Sequence, residues 1–242
     1  MKKHKPKRQR PKMKHKVANH PKLIKRWKSW LPAMQHDLTD LLGKRETFWE
    51  LQEVARENPK IMNPHSFFDW MCRNYIVSQL VGVRSFVDQS RDSRSLWRML
   101  YVMLEYPGAI NRTTHVQMYG KDQMLSDQGH MTFNNIVGIN RPYLGPMAIR
   151  ADMRIIEDAS ERVRRFVNKR IAHKTSPSEI RRLPTFDELD AALNEIDKVF
   201  CKYNLLLTGE SMDSAHATRQ FDWREVLWEA WIPKGSRLHP ES

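Results

Sequence analysis

The sequence predicts an all-α fold built on two long antiparallel helices, with further helices packed on them. Three observations predict it. Apolar residues recur at spacings of three and four over long stretches. Start and stop signals bracket those stretches: Asn63-Pro64, Ser95, Pro107-Gly108, Thr185 and Gly209. No stretch alternates β-branched and polar residues as a half-buried strand does.

Residues 1–22 mix Lys and Arg with Pro and His, and cannot bury enough apolar surface to offset their ordering entropy. From Leu23 to Trp30 the pattern turns amphipathic. A first helix is expected over 31–42, broken at Gly43, and a short second one over 47–57. The second has Trp49, Leu51, Val54 and Ala55 as apolar positions. Thr47 and Glu50 have capping-box spacing, and Asn58-Pro59 is a stop. The longest regular segment runs from Asn63-Pro64 to about Val87. Phe67, Trp70, Met71, Ile76, Leu80, Val83 and Val87 keep its register. Arg73 and Arg84 interrupt it and read as paired or snorkelling side chains.

Ser95 is the cap of a helix over 96–106, and 109–120 reads as one short helix. Residues 121–144 lack periodicity and read as a long loop carrying His130; neither it nor His115 has a spaced ligand partner. Pro146 opens the second long helix, which runs through His173. After a loop over 176–184, Thr185 and Glu188 form a second capping box. The helix they start ends at Gly209. Residues 210–220 read as loose. Trp223, Trp228 and Trp231 form a short aromatic segment that reads as a core clamp or dimer patch rather than a base-stacking platform.

Charge divides the chain. Formal net charge is +13. Residues 1–28 hold 13 Lys/Arg and no acid, which leaves 28 basic against 28 acidic residues for the remainder. The expected organisation is a basic disordered tail over 1–28, a helical domain over 29–232 and a short tail over 233–242. Lys7, Arg8, Arg10 and Lys12 are the tail's candidate contacts to nucleic acid, and a merely solvated tail is the alternative. The two cysteines, Cys72 and Cys201, lie inside apolar helical patterns and suggest neither disulfides nor a zinc set. There is no apolar run of membrane-spanning length, and the N-terminus lacks the apolar core of a secretory signal. A cytoplasmic protein with no membrane contact is expected. No phosphate loop, dinucleotide fingerprint, metalloprotease motif or nucleophile elbow occurs, so no cofactor or metal is expected.

One stretch carries chemistry. From Val163 to His173 the helix gathers Arg164, Arg165, Lys169 and Arg170 around an apolar strip of Val163, Phe166, Val167 and Ile171. On an ideal helix Lys169 lies ~40° from His173, Arg170 ~60° to the other side and Arg165 ~80° away. Asn168 is ~140° away, so it joins only if the helix end unwinds or a second chain contributes. A histidine among guanidinium groups stays neutral near neutral pH, and a neutral imidazole can take the proton of a ribose 2′-OH. The plainer alternative is that His173 caps the helix C-terminus.

The run Asn168-Lys169-Arg170-Ile171-Ala172-His173 resembles the end of the signature of HEPN domains, in the branch similar to abortive-infection U-type proteins. Three other stretches resemble that branch in the same order. They are Phe48-Trp49-Glu50-Leu51-Gln52, the helix from Ser95 to Leu100, and Leu183 to Leu189 leading to Tyr203 through Gly209. The resemblance spans roughly 46–232. It implies a HEPN-like bundle that forms a homodimer. It also implies RNA as substrate or ligand, a metal-independent endoribonuclease of toxin or phage-defence type, and an antitoxin or other protein partner. It maps the motif's histidine to His173 and its polar residue to Asn168; Arg170 is taken with them as catalytic, and the basic cluster itself offers Arg164, Arg165 and Lys169 for nucleic-acid contact. The family's arginine stands immediately before the polar residue; here that residue is Val167. A non-catalytic bundle binding RNA or a protein, and a structural dimer, are the alternatives.

Overall fold

The first helix, α1, runs unbroken from His20 to Glu57. It passes through Pro32 and Gly43, so the expected break at Gly43 does not occur. Burial overrides the local breakers: Trp27, Trp30, Leu31, Met34, Leu38, Leu41, Leu42, Phe48 and Ala55 keep one helical stripe across both. Thr47 is not a cap either. Its hydroxyl donates to the Gly43 carbonyl four residues back at 3.0 Å, a mid-helix pattern. Trp27 is 1% exposed, so residues 20–28, expected as tail, belong to the helical domain. The computed structural model describes residues 20–62, 66–172, 182–232 and 234–238, with backbone alone for 170–172. Lys7, Arg8, Arg10 and Lys12 lie outside the described residues, as does the Asn63-Pro64 start signal.

After a 3₁₀ turn over Pro59–Met62 come α2 (Ser66–Phe86) and α3 (Leu96–Glu105). Ser95 caps α3 as the sequence indicates, accepting from the Arg98 N–H at 2.9 Å. α3 is almost wholly core: Leu96, Met99, Leu100, Val102, Met103 and Leu104 are buried. The short α4 (Arg112–Gln117) is capped by Asn111.

The expected long loop over 121–144 is mostly a helix, α5 (Gln123–Val137), capped by Asp122 and ended by Gly138 at φ 111. Its buried stripe is only Gly129 and Phe133, too thin to show as periodicity. α6 (Pro146–Phe166) opens with proline in the first turn, and α7 (Phe186–Thr208) carries the full Thr185/Glu188 capping box. Gly209 ends α7 at φ 79, a left-handed backbone that favours glycine.

Among the described residues all regular structure is helical, apart from one isolated bridge between Asn111 and Tyr143. No described helix is long and apolar enough to cross a membrane. Instead of two long helices the described residues form four, α1, α2, α6 and α7, of which α1 at 38 residues is the longest. α7 is the hub. It packs on α1, α2, α4 and α6, and its side chains from Leu189 to Leu207 fill the centre of the core. α6 and α7 are braced by a buried cluster. Lys202 donates to both Asp152 oxygens at 3.0 and 2.8 Å, and the Tyr203 hydroxyl donates to Asp152 at 2.8 Å.

The segment over 210–220 is not loose. Asp197 accepts from the Ser214 hydroxyl at 2.6 Å and the Ala215 N–H at 2.8 Å. Thr39 of α1 donates to the Ala215 carbonyl at 2.6 Å. Arg219 bonds Glu46 at 2.9 Å, Glu50 at 2.8 Å and the Thr47 hydroxyl at 2.7 Å. The Trp223 indole also donates to Glu50. Beyond it, α8 is a single turn (Glu225–Trp228). Trp228 is 74% and Trp231 61% exposed, so of the expected core clamp or dimer patch the clamp does not hold for these two.

Candidate functional site

The stripe that buries α6 runs Ile149, Asp152, Met153, Ile156, Ser160, Val163, and Val167 continues it. Val167 is 4% exposed and belongs to the main core. An arginine at that position would place its charge among apolar side chains, so the valine follows from helix register. From Val167 to Ala172 the chain then leaves α winding for a π segment. Its i→i+5 hydrogen bonds widen the turn, a feature concentrated at functional sites. The ideal α-helical angles therefore do not hold across the motif.

Asn168 is half-buried and faces α2. Its Oδ1 accepts a hydrogen bond from Arg84 Nε at 3.0 Å. Arg84 stands in the last turn of α2 and is itself oriented by Asp88, whose Oδ2 lies 3.2 Å from Nη1. Burial alone would push the Asp88 carboxyl up. The Ser90 N–H and hydroxyl and the Arg84 guanidinium outweigh that and hold its pKa below the ordinary value. The pairing of the two chain segments runs in opposite senses: Arg84 meets Asn168, whereas Gln89 donates to Glu157 at 3.3 Å.

The other basic residues divide. Arg164 is held by Glu161 one turn back at 2.5 Å, and Arg165 is exposed. Lys169 is half-buried. The Arg170 side chain and His173 lie outside the described residues. The sequence reads Arg84 as a paired or snorkelling side chain, and its ion pair with Asp88 agrees with that. Its partner Asn168 lies 84 residues away, so no local signal in the sequence marks that contact.

His115, the other histidine singled out within a helix, is a core residue. It is 1% exposed, lies between the rings of Tyr119 and Phe133, and its Nδ1 meets the Leu206 carbonyl at 3.2 Å. Burial lowers its pKa, so the folded protein holds it neutral. The unfolded chain then binds the extra proton, and stability rises with pH where only the unfolded form is protonated. Unfolding free energy is expected to fall as pH drops through ~6.5, by up to about 1.4 kcal/mol per pH unit from this group. Urea titrations of wild type and His115→Gln between about pH 8 and 5 check this; equal pH slopes would exclude His115 as the cause. His130 is exposed. Among the described residues no group of His, Cys, Asp and Glu has a metal-binding arrangement. Cys201, buried beside Asp197, has its thiol pushed up to about 12 by burial first and Asp197 second, so it stays protonated and unreactive.

A groove of about 690 Å³ opens between α1 and α2, over Phe48, Leu51, Met71 and Tyr75. No motif residue lines it. The chain matches no protein-family model, no curated protein and no solved structure.

Proposed function

We propose that this chain is a HEPN-type protein that acts on RNA and cleaves it without a metal. His173 takes the proton of the ribose 2′-OH, Asn168 orients the phosphate, and Arg170 with Arg164 and Arg165 supplies positive charge. The oxygen of the 2′-OH bonds to phosphorus as its proton passes to His173, the P–O5′ bond breaks, and the 5′-oxygen takes a proton from water while His173 returns its own to solvent. The products are a 2′,3′-cyclic phosphate and a 5′-hydroxyl end. The basic segment ahead of α1 adds affinity through phosphate contacts.

The observation that carries this reading is the setting of Asn168. A polar side chain at the end of an amphipathic helix is ordinarily solvated. Here it is half-buried and fixed by an arginine from another helix, inside a π segment that coincides with the motif. The four ordered stretches that resemble the family and the all-helical architecture agree with it.

A second reading is RNA binding without cleavage. Val167 favours it, because the place of the family's arginine is filled by a core side chain. One assay separates the two. Labelled RNA and DNA of the same sequence are incubated with the full chain in EDTA. The first reading expects the RNA cut and the DNA intact; equal cutting of both would sink the 2′-OH mechanism. The second expects intact RNA, bound with an affinity that falls steeply with salt and with removal of residues 1–19. Removal must stop there, since Trp27 is buried in α1. Absence of both cleavage and salt-dependent binding would exclude both.

A further inference from the structure

We infer that Arg84 of α2 is the side chain that grips the RNA phosphate at this site, in place of an arginine from the motif helix. The inference rests on the RNA-directed reading above. Arg84 is the one arginine that a described contact brings onto Asn168. The other arginines whose side chains are described near the motif have no described contact with Asn168: Arg164 bonds Glu161, Arg162 and Arg182 both bond Glu188, and Arg165 is exposed.

The guanidinium is held like a tool. Nε is fixed by Asn168 at 3.0 Å and Nη1 by Asp88 at 3.2 Å. Among the described residues Nη2 has no partner, and the side chain remains 33% exposed. Asn168 has the matching property. Its Oδ1 accepts from Arg84, so its amide N–H groups are left to donate, and no described residue accepts them. Two sets of donors from different helices thus meet at one half-open place. A phosphodiester oxygen is the anion that such a fork and amide recognise. Asp88 offsets part of the charge, but Ser90 also donates to it twice. Val167 is then no defect: the charge that this register buries on α6 enters from α2.

A brace for Asn168 and a phosphate grip predict different mutant series. Arg84→Gln keeps an N–H donor for Asn168 and removes the charge; Arg84→Lys keeps the charge and loses the fork. Both are compared with wild type by single-turnover RNA cleavage in EDTA. Binding of an uncleavable RNA, 2′-deoxy at the cleaved position, is measured against KCl concentration, and thermal unfolding alongside. If Arg84 grips phosphate, Arg84→Gln slows cleavage about 10²–10³-fold. It also lowers the slope of log affinity on log salt by about 0.7. Arg84→Lys keeps the slope and recovers part of the rate. Unchanged rate and slope in Arg84→Gln, with an active wild type, overturns the assignment alone. A wild type that neither cuts nor binds RNA overturns the functional reading and this inference with it.

Discussion

Lys202→Met is expected to lower the unfolding free energy by about 3 kcal/mol, among the largest single effects in the molecule. Lys202 reaches from α7 to Asp152 on α6, whose side chain is only 9% exposed. Removing the ammonium leaves the Asp152 carboxylate charged and desolvated, with the Tyr203 hydroxyl as its remaining partner. An isolated buried charge costs more than the pair it came from contributes. The lower end of the usual range applies because Lys202 is 26% exposed and partly screened. The double variant Asp152→Asn/Lys202→Met tests the cause. Asparagine carries no charge yet still accepts from Tyr203, so most of the loss should return. Urea unfolding of the three proteins at neutral pH decides it; a double variant no better than Lys202→Met would mean that lost packing, not stranded charge, dominates.

His173→Ala is expected to slow RNA cleavage about 10²–10⁴-fold, the ordinary contribution of a positioned general base. Each tenfold change corresponds to about 1.4 kcal/mol at the transition state. Affinity for uncleavable RNA should change little, because phosphate contacts carry most of it. The loss therefore falls on the single-turnover rate at saturating enzyme rather than on binding. His173→Gln should be as slow as the alanine variant, since an amide hydrogen-bonds but does not titrate. Cleavage at the wild-type rate in either variant would remove His173 as the base.

What the sequence disclosed follows the range of the interactions involved. Ser95, the Thr185/Glu188 box and Gly209 act within a few residues: α3 begins at the first, and α7 begins and ends at the other two. α1 was misread because Pro32 and Gly43 are local breakers, whereas the stripe from Trp27 to Ala55 that overrides them pays off only against α2 and α7. α5 was missed because its core contact is one aromatic and one glycine; Gly129 approaches so closely that a Cβ there would meet the Val116 backbone at 3.1 Å. The strap around Ala215 and Arg219 depends on partners in α1 at the far end of the chain. The candidate site shows the same division. Asn168 and the basic run were visible as a local pattern. Arg84 was not, because its partner is 84 residues away and nothing local distinguishes it from an arginine that snorkels.

The most direct test of RNA cleavage by a 2′-OH mechanism is the chemistry of the product ends. Full-length protein is incubated with 5′-labelled RNA in excess EDTA, and the fragments are analysed before and after treatment with a phosphatase that removes cyclic phosphates only once acid has opened them. Fragments ending in 2′,3′-cyclic phosphate are expected, formed by wild type and lost in His173→Ala. Fragments with 3′-hydroxyl ends, or cleavage that appears only when divalent metal is restored, would contradict it.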